Sequence, residues 1–497
     1  MRMHMQGIEI VKAFTGSVLS ALCLLHGICF ADEGDSLIDV QAIYPLIAQT
    51  HEPWALAGAE ERIATYRKGD FLLKLCLSDG KAIPKGTAYY IKQIDHAFLF
   101  GGSLAADWSV PAQPWYSAFK SAFARLFNYA TVNFYWGSHE KVRGVWDYQS
   151  APLSNEIFQW AKNHGMVIKG HPLVWHQVIP EWISDSERDV REIDRDIRQH
   201  VQRLIKHYPE VDQWDVYNEV PGIIWKDKDL GIRRWQEFMG HKIVDNEFVS
   251  GPGFVSEALL KIARSLRPDC VYILNHYQYD DPFYHKQIEY CLEKGVAFEA
   301  IGVQTHMHSL TQSFSESDLW AMLEFYSQYN KPIYLSEVSI LSCGRFEDWR
   351  GLDFQEKAWQ KAVDAGLPIP TLESTAALEA YQAELTRDFY TLAFSHPKVE
   401  SITWWTITDL DPWRGMPSGL LDAKGKPKPV FQVLDDLINR EWNTQIEGVL
   451  QQSSQLAFNG FYGNYSLTLS IDGIDYSGQF RANKASSPSI EVQLNQL

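Results

Sequence analysis

Residues 211–219 read Val211-Asp212-Gln213-Trp214-Asp215-Val216-Tyr217-Asn218-Glu219, and residues 333–337 read Ile333-Tyr334-Leu335-Ser336-Glu337. Each is a short run rich in aromatic and β-branched side chains that closes on a carboxylate, the pattern of a buried parallel strand with a polar carboxyl end. Six further runs of this kind accompany them: His96 to Gly101, Ala130 to Tyr135, Met166 to Trp175, Cys270 to Tyr277, Phe298 to His306 and Ser401 to Asp409. Between them lie stretches such as Val190 to His207 and Phe254 to Leu266, whose apolar residues recur every three or four positions, so each crossover is expected to be a helix. Strands alternating with helices predict an α/β fold, a (β/α)8 TIM barrel in preference to a doubly wound sheet. No glycine-rich GxGxxG follows the first strand, so a dinucleotide-binding fold lacks its main support.

Outside the barrel the pattern changes. Arg2 and Lys12 precede an apolar run from Ala13 to Phe30 that ends at the small residue Ala31, which reads as an export signal. Gly16, Ser17, Ser20, His26 and Gly27 interrupt that run, which argues against a membrane-spanning helix. The expected organisation is therefore a signal peptide over 1–31, an N-terminal helix and β strands over 32–93, the barrel over 94–440 and C-terminal β strands over 441–497. The expected location is secreted or periplasmic, with no membrane association after signal removal. Phe71 to Leu77 and Thr87 to Ile94 flank Asp79-Gly80, and Tyr465 to Ile471 and Ile474 to Phe480 flank Asp472-Gly473, so both pairs are expected to be hairpins. Ile490, Val492 and Leu494 add a fifth strand. A lone hairpin is marginal in water, so the N- and C-terminal strands are expected to join in one small accessory β-sandwich. Cys343 to Leu378, after the seventh barrel strand, reads as an insertion, either a helical lid or a long loop.

With 497 residues, 45% hydrophobic and 22% charged, the chain can bury a large core and is too apolar to be disordered. Asp and Glu outnumber Lys and Arg 62 to 45, and the net charge of -17 disfavours nucleic acid and anionic membrane surfaces as partners. The 18 Trp, 23 Tyr and 25 Phe supply flat faces suited to stacking on sugar rings. Beyond the signal, Cys76, Cys270, Cys291 and Cys343 are too few and too scattered for a disulfide scaffold or a metal site. A Cys270–Cys291 bridge and four buried free thiols are both open.

Barrel active sites lie at the carboxyl ends of the strands, so the polar residues there carry the chemistry. Strand four ends in Asn218 and Glu219, and strand seven delivers Glu337. Strand three closes through His171, Trp175 and His176, strand six through Gln304, Thr305 and His306, and strand eight through Trp404, Trp405 and Asp409, with Trp413 just beyond. A lone strand-end Glu serves as readily in a salt bridge or a helix cap. Two from different strands, among Trp, His, Asn and Gln, are what glycosidic bond cleavage needs: one acid to protonate the leaving oxygen, one carboxylate to attack or stabilise the oxocarbenium centre. His171, His176, His306 and His308 lack metalloprotease spacing, so neither metal nor cofactor is expected.

The motifs GHPLVWH at 170–176, WDVYNE at 214–219, IGVQTH at 301–306, LSEVSI at 335–340 and WWTITD at 404–409 resemble, in order and placement, those of the family 10 glycoside hydrolases. Members are retaining endo-β-1,4-xylanases on an eight-fold barrel, and the match covers about residues 60 to 440. The resemblance implies that Glu219 is the general acid/base and Glu337 the nucleophile, about 5–5.5 Å apart. It further implies that Asn218 bonds the sugar 2-hydroxyl, that Gln304 and His306 orient Glu337, and that His171, Trp175, Trp405 and Trp413 line the subsite of the distorted ring. His176, Tyr277 and Asn133 complete the expected substrate contacts, and the expected partner is a plant cell-wall polysaccharide, xylan or a related β-glycan.

Three positions depart from the family. Thr131 to Gly137 replace the usual Glu-Asn pair with its following Lys and Trp on strand two, Asn275-His276-Tyr277 replaces Asn-Asp-Tyr on strand five, and Ser339 replaces the acidic residue two after the nucleophile. Catalysis is expected to be intact and the glycone-side contacts rewritten. A β-glycanase or xylo-oligosaccharide hydrolase with altered glycone subsites and a catalytically idle polysaccharide-binding barrel are the alternatives.

Overall fold

The computed structural model describes residues 56–104, 116–147, 155–184, 187–220, 230–244, 247–251, 253–277, 279–307, 315–343, 357–363, 365–368, 370–485 and 489–497. The apolar run read as an export signal lies outside them, as do His308 and much of the insertion. No described helix is long and apolar enough to cross a membrane.

After a helix, Ala59–Tyr66, come β1 (Lys68–Leu77) and β2 (Ala88–His96). The barrel follows as β3 (Leu99–Ser103), β4 (Tyr129–Asn133), β5 (Val167–His171), β6 (Gln213–Asn218), β7 (Val271–His276), β8 (Ala300–Val303), β9 (Ile333–Ile340) and β10 (Val399–Trp404). Each pairs in parallel with the next and β10 pairs with β3, which closes the ring. All eight strands expected from the sequence are present. Their outward residues pack on the crossover helices in one continuous core, as Ala130 and Val132 of β4 and Leu335 of β9 do. Alternate residues point inward, and Tyr129, Ile273, Ala300 and Tyr334 plug the amino-terminal end of the barrel. The crossover helices begin at polar caps: Asp189 accepts from the Arg191 amide, Asp281 from Phe283, and Ser315 and Asp318 form a reciprocal capping box.

The C-terminal strands are β11 (Gln445–Val449), β12 (Gln455–Phe461), β13 (Gly463–Ile471), β14 (Ile474–Ala482) and β15 (Ser489–Gln496). Together with β1 and β2 they form one seven-stranded path, β11-β2-β13-β14-β15-β1-β12, so both ends of the chain do build one accessory unit. Among the described residues its four- and three-stranded halves are linked by two residue pairs between β14 and β15, and both halves face a separate core that includes Leu73, Ile91, Leu467, Phe480 and Val492.

The hairpin expectation holds at Asp472-Gly473, where φ is 51° and 79° and β13 pairs with β14 throughout. It fails at Asp79-Gly80. β1 pairs with β12 and β15, and β2 pairs with β11 and β13, so the two strands lie in different halves. Ten residues separate β1 from β2, and Ile83 in that connection is buried in the accessory core, so the segment crosses the sandwich rather than reversing beside itself. The cysteine alternatives also resolve: Cys76, Cys270, Cys291 and Cys343 are all free thiols, three buried and Cys76 exposed. Burial pushes both Cys270 and Cys291 up to about 12, which keeps them protonated.

Candidate active site

The carboxylates owe their direction to two irregularities in the barrel. In β6 three steps from Asp215 to Asn218 oppose two steps from Ile273 to Asn275 in β7. In β9 three steps from Leu335 to Val338 oppose two from Ile402 to Trp404 in β10. An extra residue of this kind turns the following side chain to the other face. Tyr217 therefore turns outward onto Trp235, while Asn218 turns inward toward Asn275. Ser336 and Glu337 likewise both reach Asn275. Glu219 itself has a left-handed backbone, φ 58°, held by its amide donating to the Asn275 carbonyl at 3.0 Å.

Glu219 accepts three hydrogen bonds. The indole of Trp175 donates to Oε2 at 2.9 Å, and the side-chain amides of Gln304 and Asn218 donate to Oε1 at 2.8 and 3.1 Å. Around Glu337, Asn275 donates to Oε1 at 2.8 Å and His306 Nε2 lies 3.2 Å from Oε2. Asn275 also donates to Asn218 Oδ1 at 2.9 Å, so one amide links the two carboxylate networks. Below them a buried chain runs from Lys169 Nζ to Asp215 Oδ2 at 3.1 Å, from that oxygen to His171 Nδ1 at 2.7 Å, and from His171 Nε2 to Glu337 Oε1 at 3.8 Å.

These surroundings push the two acids apart. Burial raises the proton affinity of Glu219, and the negative charge of Glu337 raises it further, against the hydrogen bond from Gln304. Burial works the same way on Glu337, but the positive fields of His171, His306 and Lys169, with the His306 hydrogen bond, outweigh it and hold Glu337 below the ordinary range. One carboxyl is thus set to keep a proton and its neighbour to lose one.

Of the residues singled out from the sequence, Glu219, Glu337, Asn218, His171, Trp175, Gln304 and His306 meet in this network. Trp405 meets both histidines, its ring 5.4 Å from His171 and 5.9 Å from His306, and Trp413 lies 4.6 Å from His306. Tyr277 is close enough for Glu219 to add to the upward push that burial exerts on its phenol. Asn133 points into the barrel and hydrogen-bonds Tyr135. Gln304 departs from its expected task, since its side chain serves Glu219, while Asn275 takes the expected place on Glu337. His176 is not brought to the carboxylates: its ring is fully buried and meets the edge of Tyr217, on the helix side of β6. Phe134 likewise packs outward on Tyr208 and Trp214.

Sequence reasoning assigned no role to Asn275, Lys169, Asp215 and Tyr135. The first three sit at inward positions of strands already identified, and two of them are charged, which is the signal that could have found them. Tyr135 follows Asn133 by two and feels both carboxylates, Glu337 more than Glu219, in addition to burial.

Residues 95–437 match the model of Glycosyl hydrolase family 10. Among curated relatives, the anti-sigma-I factor RsgI6 of Acetivibrio thermocellus is 23% identical over 86% of this chain, which spans 48% of that protein. Endo-1,4-beta-xylanase B of Thermotoga neapolitana is 24% identical over 59% of this chain and 75% of its own length. The solved structure of GH10 from Paenibacillus barcinonensis superimposes with a TM-score of 0.53 at 22% identity, over 69% of this chain and 95% of that one, and shares the barrel fold. With a matched segment that takes in every barrel strand and both carboxylates, the chain belongs to glycosyl hydrolase family 10.

Proposed function

We propose that this protein is a retaining glycoside hydrolase that cleaves internal β-1,4-xylosidic bonds of xylan, with Glu337 as nucleophile and Glu219 as general acid/base. The observation that carries this reading is the opposite proton affinity of two buried carboxyls joined through Asn275 and Asn218. Oε1 of Glu219 already receives two amide donors, so its proton belongs on Oε2, beside the Trp175 indole. In the first step Glu337 attacks the anomeric carbon while Glu219 gives that proton to the departing oxygen. The glycosyl ester removes the charge of Glu337, and with it one cause of the raised affinity of Glu219. Glu219, now a carboxylate, takes a proton from water, which attacks the ester and releases Glu337. The names of the xylanase relatives support xylan as the substrate class. Export of the mature chain after Ala31 belongs to the same proposal, and N-terminal sequencing of the protein recovered outside the cytoplasm tests it.

Reducing-sugar release from glucuronoxylan, arabinoxylan and mixed-linkage glucan, beside a Glu337→Gln control, tests the activity. Release from a xylan that the control lacks is expected, and release from the glucan alone would overturn the substrate. Glu219→Gln should abolish turnover of xylan while sparing the glycosylation step on activated aryl xylosides, and equal loss on both would refute the acid role.

A saccharide-binding barrel without turnover is the second reading, favoured by the regulatory name of the relative from Acetivibrio thermocellus. Covalent capture of a 2-fluoro xylobioside on Glu337, read by mass spectrometry, separates the two, since a pure binder forms no ester.

A further inference from the structure

One ring nitrogen of His306 faces the nucleophile, and the other meets β9 again two residues further on. Nε2 lies 3.2 Å from Glu337 Oε2, and Nδ1 lies 2.9 Å from Ser339 Oγ. The backbone sets this arrangement. After β8 the chain turns at Thr305, whose φ is 54°, and the two-residue strand His306–Met307 then runs parallel to β9, with His306 opposite Ser339 and Met307 opposite Ile340. His306 and Ser339 are both buried, so one strand presents the nucleophile and a hydroxyl to the two nitrogens of one enclosed ring.

We propose that Ser339 is a positioning residue for the nucleophile: its hydroxyl donates to Nδ1 of the neutral His306 ring and so fixes the ring's one hydrogen on Nε2, toward Glu337. This rests on the reading of Glu337 as nucleophile above. Glu337 acts as a carboxylate, which only accepts, so the contact with His306 needs a hydrogen on Nε2. A neutral imidazole carries a single N–H, so Nδ1 is then a bare acceptor and its partner must be a donor. A hydroxyl meets that need, whereas an acidic side chain at 339 would only accept and would draw the hydrogen to Nδ1. A hydroxyl also accepts, so when the ring takes up a second proton at low pH, Ser339 receives from Nδ1 and the Nε2 hydrogen stays on Glu337. The positive field that His306 exerts on Glu337 belongs to that charged ring. Burial disfavours it, and the positive fields of Arg414 and His171 act in the same direction. The hydrogen bond to Glu337 and its negative charge oppose them, and the balance holds His306 below the ordinary histidine range. Near neutrality the uncharged ring therefore predominates, and that is the form whose hydrogen Ser339 places.

The test pairs a pH profile with a spectrum, both on the full chain. The kcat/KM of Ser339→Ala on an aryl xylobioside is divided by that of the wild type at each pH. Below the titration of His306 both ring nitrogens carry hydrogens whatever stands at 339, so a ratio near one is expected. Above it the ratio should fall to about one fifth, the worth of one neutral hydrogen bond, as the ring with its hydrogen on Nδ1 gains ground. A ratio that is the same at every pH would overturn the proposal, since a residue that merely packs against the ring gives a loss without pH dependence. In the wild type, with histidine isotopically labelled at nitrogen, proton–nitrogen correlation spectra above the titration should show His306, identified by the signals missing from His306→Gln, with hydrogen on Nε2 and a bare Nδ1. Hydrogen on Nδ1 of the neutral ring would also overturn the proposal. The spectrum needs no turnover, so failure of Glu337 as nucleophile and failure of Ser339 to place the hydrogen are separate results.

Discussion

Asn275 is the residue through which the two carboxylate networks are joined. Its amide nitrogen serves Glu337 and Asn218, and its oxygen accepts from Ser336 Oγ at 2.5 Å. It has room because Gly302 faces it from β8: a Cβ there would stand 2.5 Å from Asn275 Oδ1. Asn275→Ala is expected to lower kcat, by at most the about 10²–10³ that loss of one preorganised transition-state donor brings, in assays on an aryl xylobioside. Gly302→Ala should reproduce part of that loss by displacing the amide, with the fold retained by circular dichroism. The pH dependence follows from the two carboxyls. Glu337 must be ionised and its affinity is lowered, so activity falls only when pH drops below the ordinary carboxylate range. Glu219 must be protonated and its affinity is raised, so activity is lost as pH rises past a point above that range. Lys169→Met removes one of the positive fields on Glu337 and should move the acidic limb of kcat/KM upward while leaving the alkaline limb in place. It also leaves the fully buried Asp215 with His171 as its remaining charged or hydrogen-bonding partner, which should cost stability by up to about 3 kcal/mol in urea unfolding.

At the scale of elements, the bulges in β6 and β9 matter more than the strands' apolar content. Strict alternation from Asp215 would point Tyr217 inward and Asn218 at the helices, and the extra residue reverses both. Element ends are held in a similar local way by Arg67. Its guanidinium donates to the carbonyls of Phe394, His396 and Val399, at the end of the helix Ala376–Ser395 and the start of β10, and it lies over the rings of Phe98 and Phe394. Burial pushes it down to about 10, still far above neutrality, so it stays a cation at a helix carboxyl end. Arg67→Ala leaves those carbonyls without their donor and should cost about 3 kcal/mol or more, measured by thermal unfolding. Arg67→Lys should recover only part, because one ammonium cannot span three carbonyls.

The whole molecule couples its two ends through the accessory unit. Among the described residues β1 pairs with the C-terminal strands β12 and β15, and β2 lies between β11 and β13. A chain ending at residue 444 would expose Phe71, Leu73, Leu75 and Ile91 and leave both strands with open edges. Each such side chain contributes about 1.5–3 kcal/mol when buried. That truncation should therefore aggregate or bind a hydrophobic dye strongly, whereas the full chain should not. A truncation as soluble and as heat-stable as the full chain would show that the barrel does not depend on its partner sheet.

The sequence by itself determined the barrel, the eight strands and the two carboxylates, because strand periodicity, helical crossovers and polar strand ends are written in local order and need no partner to be read. It also carried the true hairpin, where Asp472-Gly473 meets the left-handed demands of a two-residue turn. The tertiary structure alone decided what depends on residues distant in the chain. The first expected hairpin separated because each of its strands finds C-terminal partners hundreds of residues away. His176 packs on Tyr217, which a bulge in the distant strand β6 turns outward, and Gln304 bonds Glu219 while Asn275 bonds Glu337, pairings that no local stretch of sequence specifies. The opposite proton affinities of Glu219 and Glu337 belong to the same class: two glutamates of equal chemistry are distinguished only by burial and by the charges that folding sets beside them.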